Sequence, residues 1–159
     1  MIRIEIPIEA QPVQTGGKRM FVGKTGKPVF FKDARTRRYL EAIRLHANRY
    51  RPAQPLSGAL EIKVLYVMPR PQRLNRKKDP EGRIWMDVRP DWDNLQKGTQ
   101  DALDGFWGDD GQIALATVMK VYAAKGELPS IQILINQINE SLSPPHRRLP
   151  AGHGSPDPS

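Results

Sequence analysis

The sequence predicts a mixed α/β (α+β) fold: a single domain with a small mixed β-sheet and two main helices. Three observations carry that prediction. Apolar residues recur at period two in some stretches and at helical spacing in others, and proline or glycine punctuates the joins. At 159 residues the chain can bury a core of its own.

Ile2, Ile4, Ile6 and Ile8 alternate with Arg3, Glu5 and Glu9, which predicts a half-buried strand ending near Pro12. Residues 14–28 are rich in Gly and Lys and read as a mobile basic loop or loose hairpin. The Gly23–Thr25 tripeptide GKT lacks the glycine that a phosphate-binding loop needs, since Lys18 stands in its place. A helix is expected from Asp33, a plausible cap, to about Tyr50. Its apolar stripe is Tyr39, Leu40, Ile43 and Ala47, and Pro52 and Pro55 end it. Leu60, Ile62, Val64, Tyr66 and Met68 alternate with Glu61, Lys63 and Leu65 and predict a second strand, closed by Pro69.

Residues 70–87 form a basic insert, broken by Pro71, Pro80 and Gly82, and are expected to make a surface excursion. Asn94 to about Leu103 is the second helix, with Leu95, Ala102 and Leu103 on one face. Gly98 weakens it by about 1 kcal/mol relative to alanine. After a turn at Gly108–Gly111, two strands are expected at Ile113–Tyr122 and Ile131–Ile138, joined by a turn at Lys125–Pro129. The folded domain thus spans residues 1–140, and residues 141–159, mostly Pro, Ser, Gly and His, read as a disordered tail.

The absence of cysteine excludes a disulfide framework, thiolate zinc sites and cysteine nucleophiles. His46, His146 and His153 are too scattered for a metal triad or a general-base pair. Met1–Glu9 is unlike a signal peptide and no apolar run approaches a membrane span, so a soluble cytoplasmic protein is expected. A net charge of +8 favours a polyanionic partner. The basic insert supplies the candidate DNA contacts: Arg70, Arg73, Arg76, Lys77, Lys78 and Arg83, opposed only by Asp79 and Glu81. A solvated loop without a partner is the plainer reading of the insert. Trp85, Trp92 and Trp107 read as packing residues, with Trp85 the one to consider for DNA contact.

Against that basic background, PDWDNLQKGTQDALDGFWGDDGQ at Pro90–Gln112 concentrates acid. Asp91 and Asp93 alternate, Lys97 follows one helical turn later, and Asp109 and Asp110 form a second pair. If Asp91–Asp93 is extended, both carboxylates face one side and Trp92 faces the core. Clustered carboxylates repel one another unless a cation holds them. Magnesium, a hard ion that prefers one or two carboxylates plus waters and phosphate oxygens, fits such a set. Lys97 would set a point charge beside the scissile phosphate. The plainer readings are Asp93 as a helix cap and Asp109–Asp110 as a polar turn. A bare DxD also occurs in phosphatases and nucleotide-sugar transferases, which place it after an apolar strand rather than after a segment such as Met86–Pro90.

The same stretch closely resembles the core motif of the RusA-type Holliday-junction resolvases, small phage- and prophage-associated endodeoxyribonucleases. That motif runs as D-x-D-N-L-x-K, a helix ending in D-A-L (here Asp101–Leu103), a turn with aromatics (Phe106, Trp107), then D-D before a strand. The resemblance implies a RusA-like single domain over about residues 1–138 and a homodimer. It implies that paired symmetric nicks resolve four-way DNA junctions in recombination and repair, with Mg2+ or Mn2+ as cofactor. By position it implies that Asp91, Asp93 and Asp110 are metal-binding catalytic carboxylates. Lys97 matches the essential lysine, and Asp109 the neighbouring acid and further metal-site candidate. A cytoplasmic protein, nucleoid-associated or phage-encoded, is implied with them. The loop between Leu103 and Phe106 is short for the family and the insert before Pro90 long. The alternative is a non-catalytic basic DNA-binding module that kept the fold.

Overall fold

The computed structural model describes residues 1–13, 20–22, 28–30 and 34–138. Five strands form one mixed sheet: β1 (Ile2–Ile6), β4 (Leu60–Met68), β5 (Ile84–Trp85), β6 (Ile113–Tyr122) and β7 (Ser130–Gln137), in the order β1-β7-β4-β6-β5. β2 (Met20–Val22) and β3 (Pro28–Phe30) pair antiparallel in a separate two-stranded sheet. The helices are α1 (Ala34–Ala47), continued by a 3-10 turn to Tyr50, and α2 (Trp92–Ala102).

β4 is the centre of the sheet because its alternation is the longest and most apolar. Leu60, Ile62, Val64 and Tyr66 are buried, between β7 running antiparallel and β6 running parallel. The single parallel pair makes the sheet mixed, as expected. The main core lies where these side chains and those of β1 and β7 meet Tyr39, Leu40, Ile43 and Ala47 of α1 and Leu95 and Ala102 of α2. Each isoleucine buried there stabilises the fold by roughly 1.5–3 kcal/mol. A smaller cluster of Val67, Val121 and Ala123, with Leu65 against it, forms a second patch near the end of β4.

The α1 stripe and the β4 span agree with the sequence pattern. Two expectations are corrected. The motif helix begins at Trp92 rather than Asn94, so Asp93 is already helical. Trp92 does not face the core but is 58% exposed, because it belongs to a first helical turn and not to a strand with alternating faces. The insert runs mostly exposed at the surface, in line with the sequence pattern, but it is tied down. Its last residues form β5 against Val121 and Tyr122, and Arg70 donates to the carbonyls of Leu74 (2.8 Å), Pro80 (2.6 Å) and Gly82 (3.0 Å), pinning the loop. The pairing of residues 20–22 with 28–30 fits the hairpin reading. The GKT tripeptide, Asp33 and the expected tail at 141–159 lie outside the described residues.

Gly98 also acquires a reason. A Cβ built there would stand 2.7 Å from Val13 Cγ2 and 3.4 Å from Tyr39, so this face of α2 is glycine because the N-terminal segment crosses it closely.

Candidate active site

α2 is anchored to the sheet by one polar bridge. The buried hydroxyls of Tyr66 on β4 and Thr99 on α2 lie 2.8 Å apart, and Tyr66 also donates to Gln96 (3.3 Å). Burial pushes the Tyr66 hydroxyl far above its ordinary pKa, so it stays neutral and available as a donor. The helix start is therefore fixed relative to β4.

At that start, Asp91 occupies the cap position with extended backbone (φ −67, ψ 141), yet its side chain makes no capping hydrogen bond. Aspartate at a cap normally accepts from the backbone N–H groups of the first turn. Asp93 follows in the first turn, and its Oδ2 lies 3.5 Å from Lys97 Nζ, an exposed ion pair one turn apart. The two carboxylates do not share a strand face, because residues two apart on a helix do not face each other. Both nevertheless lie at the helix N-terminus, where the backbone dipole favours negative charge.

The loop leading into Asp91 is held by a residue that the sequence reading missed. Lys120 on β6 donates through Nζ to the carbonyls of Val88 (2.9 Å) and Pro90 (2.8 Å). A lone cation in an otherwise uncharged strand was the available signal.

The second acidic pair lies elsewhere. Asp109 accepts from Gly111 N through Oδ1 (2.7 Å), capping the 3-10 turn Asp110–Gln112. Gln112, also missed, is the keystone: its Oε1 accepts from the backbone N–H of Gly108 (2.8 Å) and Asp109 (2.9 Å). Its Nε2 donates to the carbonyls of Leu56 and Gly58 (3.1 Å each). The indole of buried Trp107 donates to Asp110 Oδ1 (3.0 Å) and orients that carboxylate. Asp109 and Asp110 line an open cavity of about 500 Å³ with Asp101, Asp104, Trp107 and Arg44.

These two acidic groups stand at opposite ends of α2. From Asp93 to Ala102 the helix rises about 14 Å at ~1.5 Å per residue. β6 gives a second and longer measure of how far apart they lie. It starts at Ile113 beside the Asp110 turn, and its Lys120, bound to Pro90, is about 23 Å further along at ~3.3 Å per residue. Accordingly, among the described residues no three His, Cys, Asp or Glu side chains gather closely enough to hold a metal ion. The fold of one chain does not bring the four motif aspartates together.

Of the basic candidates, Arg70 is turned onto backbone carbonyls and Arg83 forms a two-pronged pair with Glu127 (Nε to both oxygens, 3.1 Å). That pair raises the Arg83 pKa and lowers that of Glu127. Arg73, Arg76, Lys77 and Lys78 are exposed. Trp85 is 71% exposed, while Trp107 is core.

With this geometry in view, a family model for "Endodeoxyribonuclease RusA" matches residues 9–136, which include both helices, the acidic groups and all of β4, β5 and β6. The chain belongs to the RusA endodeoxyribonuclease family. It is also similar to the uncharacterized protein YqaN of Bacillus subtilis (strain 168). The two are 27% identical over 142 residues, which cover 86% of this chain and 97% of that protein. No helix among the described residues is long and apolar enough to cross a membrane.

Proposed function

We propose that this RusA-family chain is a homodimeric, divalent-metal-dependent Holliday-junction resolvase that nicks two strands of a four-way junction symmetrically. The observation that carries the reading is the Asp91 carboxylate. It sits where a cap should bond to the helix and does not, beside an Asp93–Lys97 pair at the same exposed end of α2.

The donor set suits Mg2+ or Mn2+: hard oxygen ligands, with waters and phosphate oxygens completing the shell. Asp91, Asp93 and Asp110 are the residues that would hold the ion. Asp109 has one oxygen committed to its turn and would contribute less. When bound, the metal supplies a Lewis acid and a deprotonated water for phosphodiester hydrolysis. Lys97 supplies positive charge for the developing phosphorane, and Trp107 holds Asp110 in one orientation. Arg73, Arg76, Lys77 and Lys78 provide exposed charge for the phosphate backbone, so binding should weaken steeply with salt.

The separation of the acidic groups within a chain favours a site shared between protomers, the Asp91 end of one meeting the Asp110 end of the other. A two-fold dimer also matches the two-fold symmetry of a four-way junction. The deciding assay is cleavage of a synthetic four-way junction, against a linear duplex, with and without Mg2+. Symmetric nicking only of the junction and only with metal is expected. A protein that shifts the junction in a gel but leaves it uncut under every metal condition would be a binding module instead.

A further inference from the structure

The two outer sides of the five-stranded sheet differ in kind. β1 closes one side and carries Arg3 and Glu5 exposed along its length. On the other side β5 covers β6 only at Val121 and Tyr122, with one further bond from Met86 N to Lys120 O (3.1 Å). Among the described residues no strand pairs with the outer edge of β6 from Ile113 to Met119. Ala114, Leu115 and Ala116 are exposed there, Leu115 at 48%, and the segment IALATVM carries no charge. Proteins ordinarily blunt such an edge with charge, proline or a covering element, because its free N–H and C=O groups template pairing.

We infer that this edge is the seam between two copies of the chain, β6 pairing antiparallel with its own counterpart about a two-fold axis at Ala116. This rests on the dimeric reading above and adds its surface and register. The Lys120 carbonyl turns toward β5, so at period two the backbone groups of Val118 and Ala116 turn to the same open side. A two-fold through those groups sets Ala116 opposite itself and Leu115 opposite the partner's Thr117. The segment around Met86 blocks the ladder from running past Lys120.

The occupant is a second copy because antiparallel pairing of this uncharged edge carries the acidic Asp109–Asp110 turn at the start of one β6 toward the Lys120 ammonium near the end of the other, a meeting of opposite charges that the two-fold makes twice.

The chain has no cysteine, so a single introduced thiol reports the seam directly. Hydrogen-bonded antiparallel partners have Cα atoms about 5.5 Å apart, within disulfide reach. Mild oxidation should link Ala116→Cys into a covalent dimer and leave Arg3→Cys, on the opposite edge, monomeric on a denaturing gel. By light scattering the wild type should have twice the 18.0 kDa chain mass, and Ala116→Pro, which removes an outward N–H, should halve it. Should that proline variant not fold, Leu115→Lys charges the same edge without touching the backbone and should halve the mass too. A monomeric wild type, a dimer unaffected by the folded edge variants, or linkage of Arg3→Cys in place of Ala116→Cys would overturn the seam. All of this is read without DNA or metal. A β6-linked dimer that fails to nick junctions would count against the nuclease reading alone.

Discussion

The two ends of α2 carry the same residue type under opposite conditions. At the far end, Asp109 and Asp110 are built in: one caps a turn, the other takes an indole N–H, and Gln112 ties the Gly108–Asp109 backbone to the carbonyls of Leu56 and Gly58. At the near end, Asp91 forgoes the cap bond its position offers and Asp93, among the described residues, pairs with an exposed lysine at 3.5 Å. Bonded aspartates there would have stabilised the helix by about 0.5–2 kcal/mol. On the function proposed above, the near-end carboxylates forgo that stabilisation because they serve a ligand, and the bonded end aims its carboxylate before the ligand arrives.

The largest test of this contrast is Asp91→Asn or Asp93→Asn. Each should cut junction nicking by at least about a hundredfold while junction binding persists. Thermal stability should stay within ~0.5 kcal/mol, since no cap bond is lost. A cleavage rate equal to wild type would remove that residue from catalysis. Mixing Asp93→Asn with Asp110→Asn chains sharpens the comparison. If sites are shared, a mixed dimer has one intact site and regains single-strand nicking; if each chain holds its own site, mixtures stay inactive.

At the bonded end, Trp107→Phe removes one hydrogen bond to a charged group, of about 1.5–3 kcal/mol, and should slow nicking roughly tenfold or more with junction affinity retained. Gly98→Ala probes the scaffold between the two ends. Its methyl would meet Val13 at 2.7 Å, so a net destabilisation of about 1–2 kcal/mol by thermal melting is expected despite alanine's better helix propensity. The smallest effect concerns Glu127, whose pKa is lowered chiefly by its hydrogen bonds from Arg83. A depressed carboxylate stabilises the fold above its ordinary value of 4.5, and that contribution fades as pH falls through the lower folded value. Glu127→Gln should therefore flatten the acid limb of stability against pH by less than ~1 kcal/mol and leave neutral-pH nicking unchanged.

Much of the fold was legible because its signals are local. Alternation placed β4 at Leu60–Met68, the apolar stretch Ile113–Tyr122 is β6 as expected, and helical spacing picked out the buried stripe of α1. β5 was not legible: two residues carry no period, and only pairing with Val121 and Tyr122 makes them a strand. Trp92 was misread because the register of a first helical turn depends on where the helix starts, a matter of two residues.

By itself the chain's order of residues determined the element types, the strongly basic balance and the acidic motif that marks the RusA family, since each depends on neighbours or on composition. The tertiary structure alone decided that the motif's two halves lie a helix length apart, that Lys120 and Gln112 hold their backbones, and that Arg70 and Arg83 are spent on the protein itself. Those contacts join residues distant in the chain, and short-range spacing has no means of encoding the distance between them.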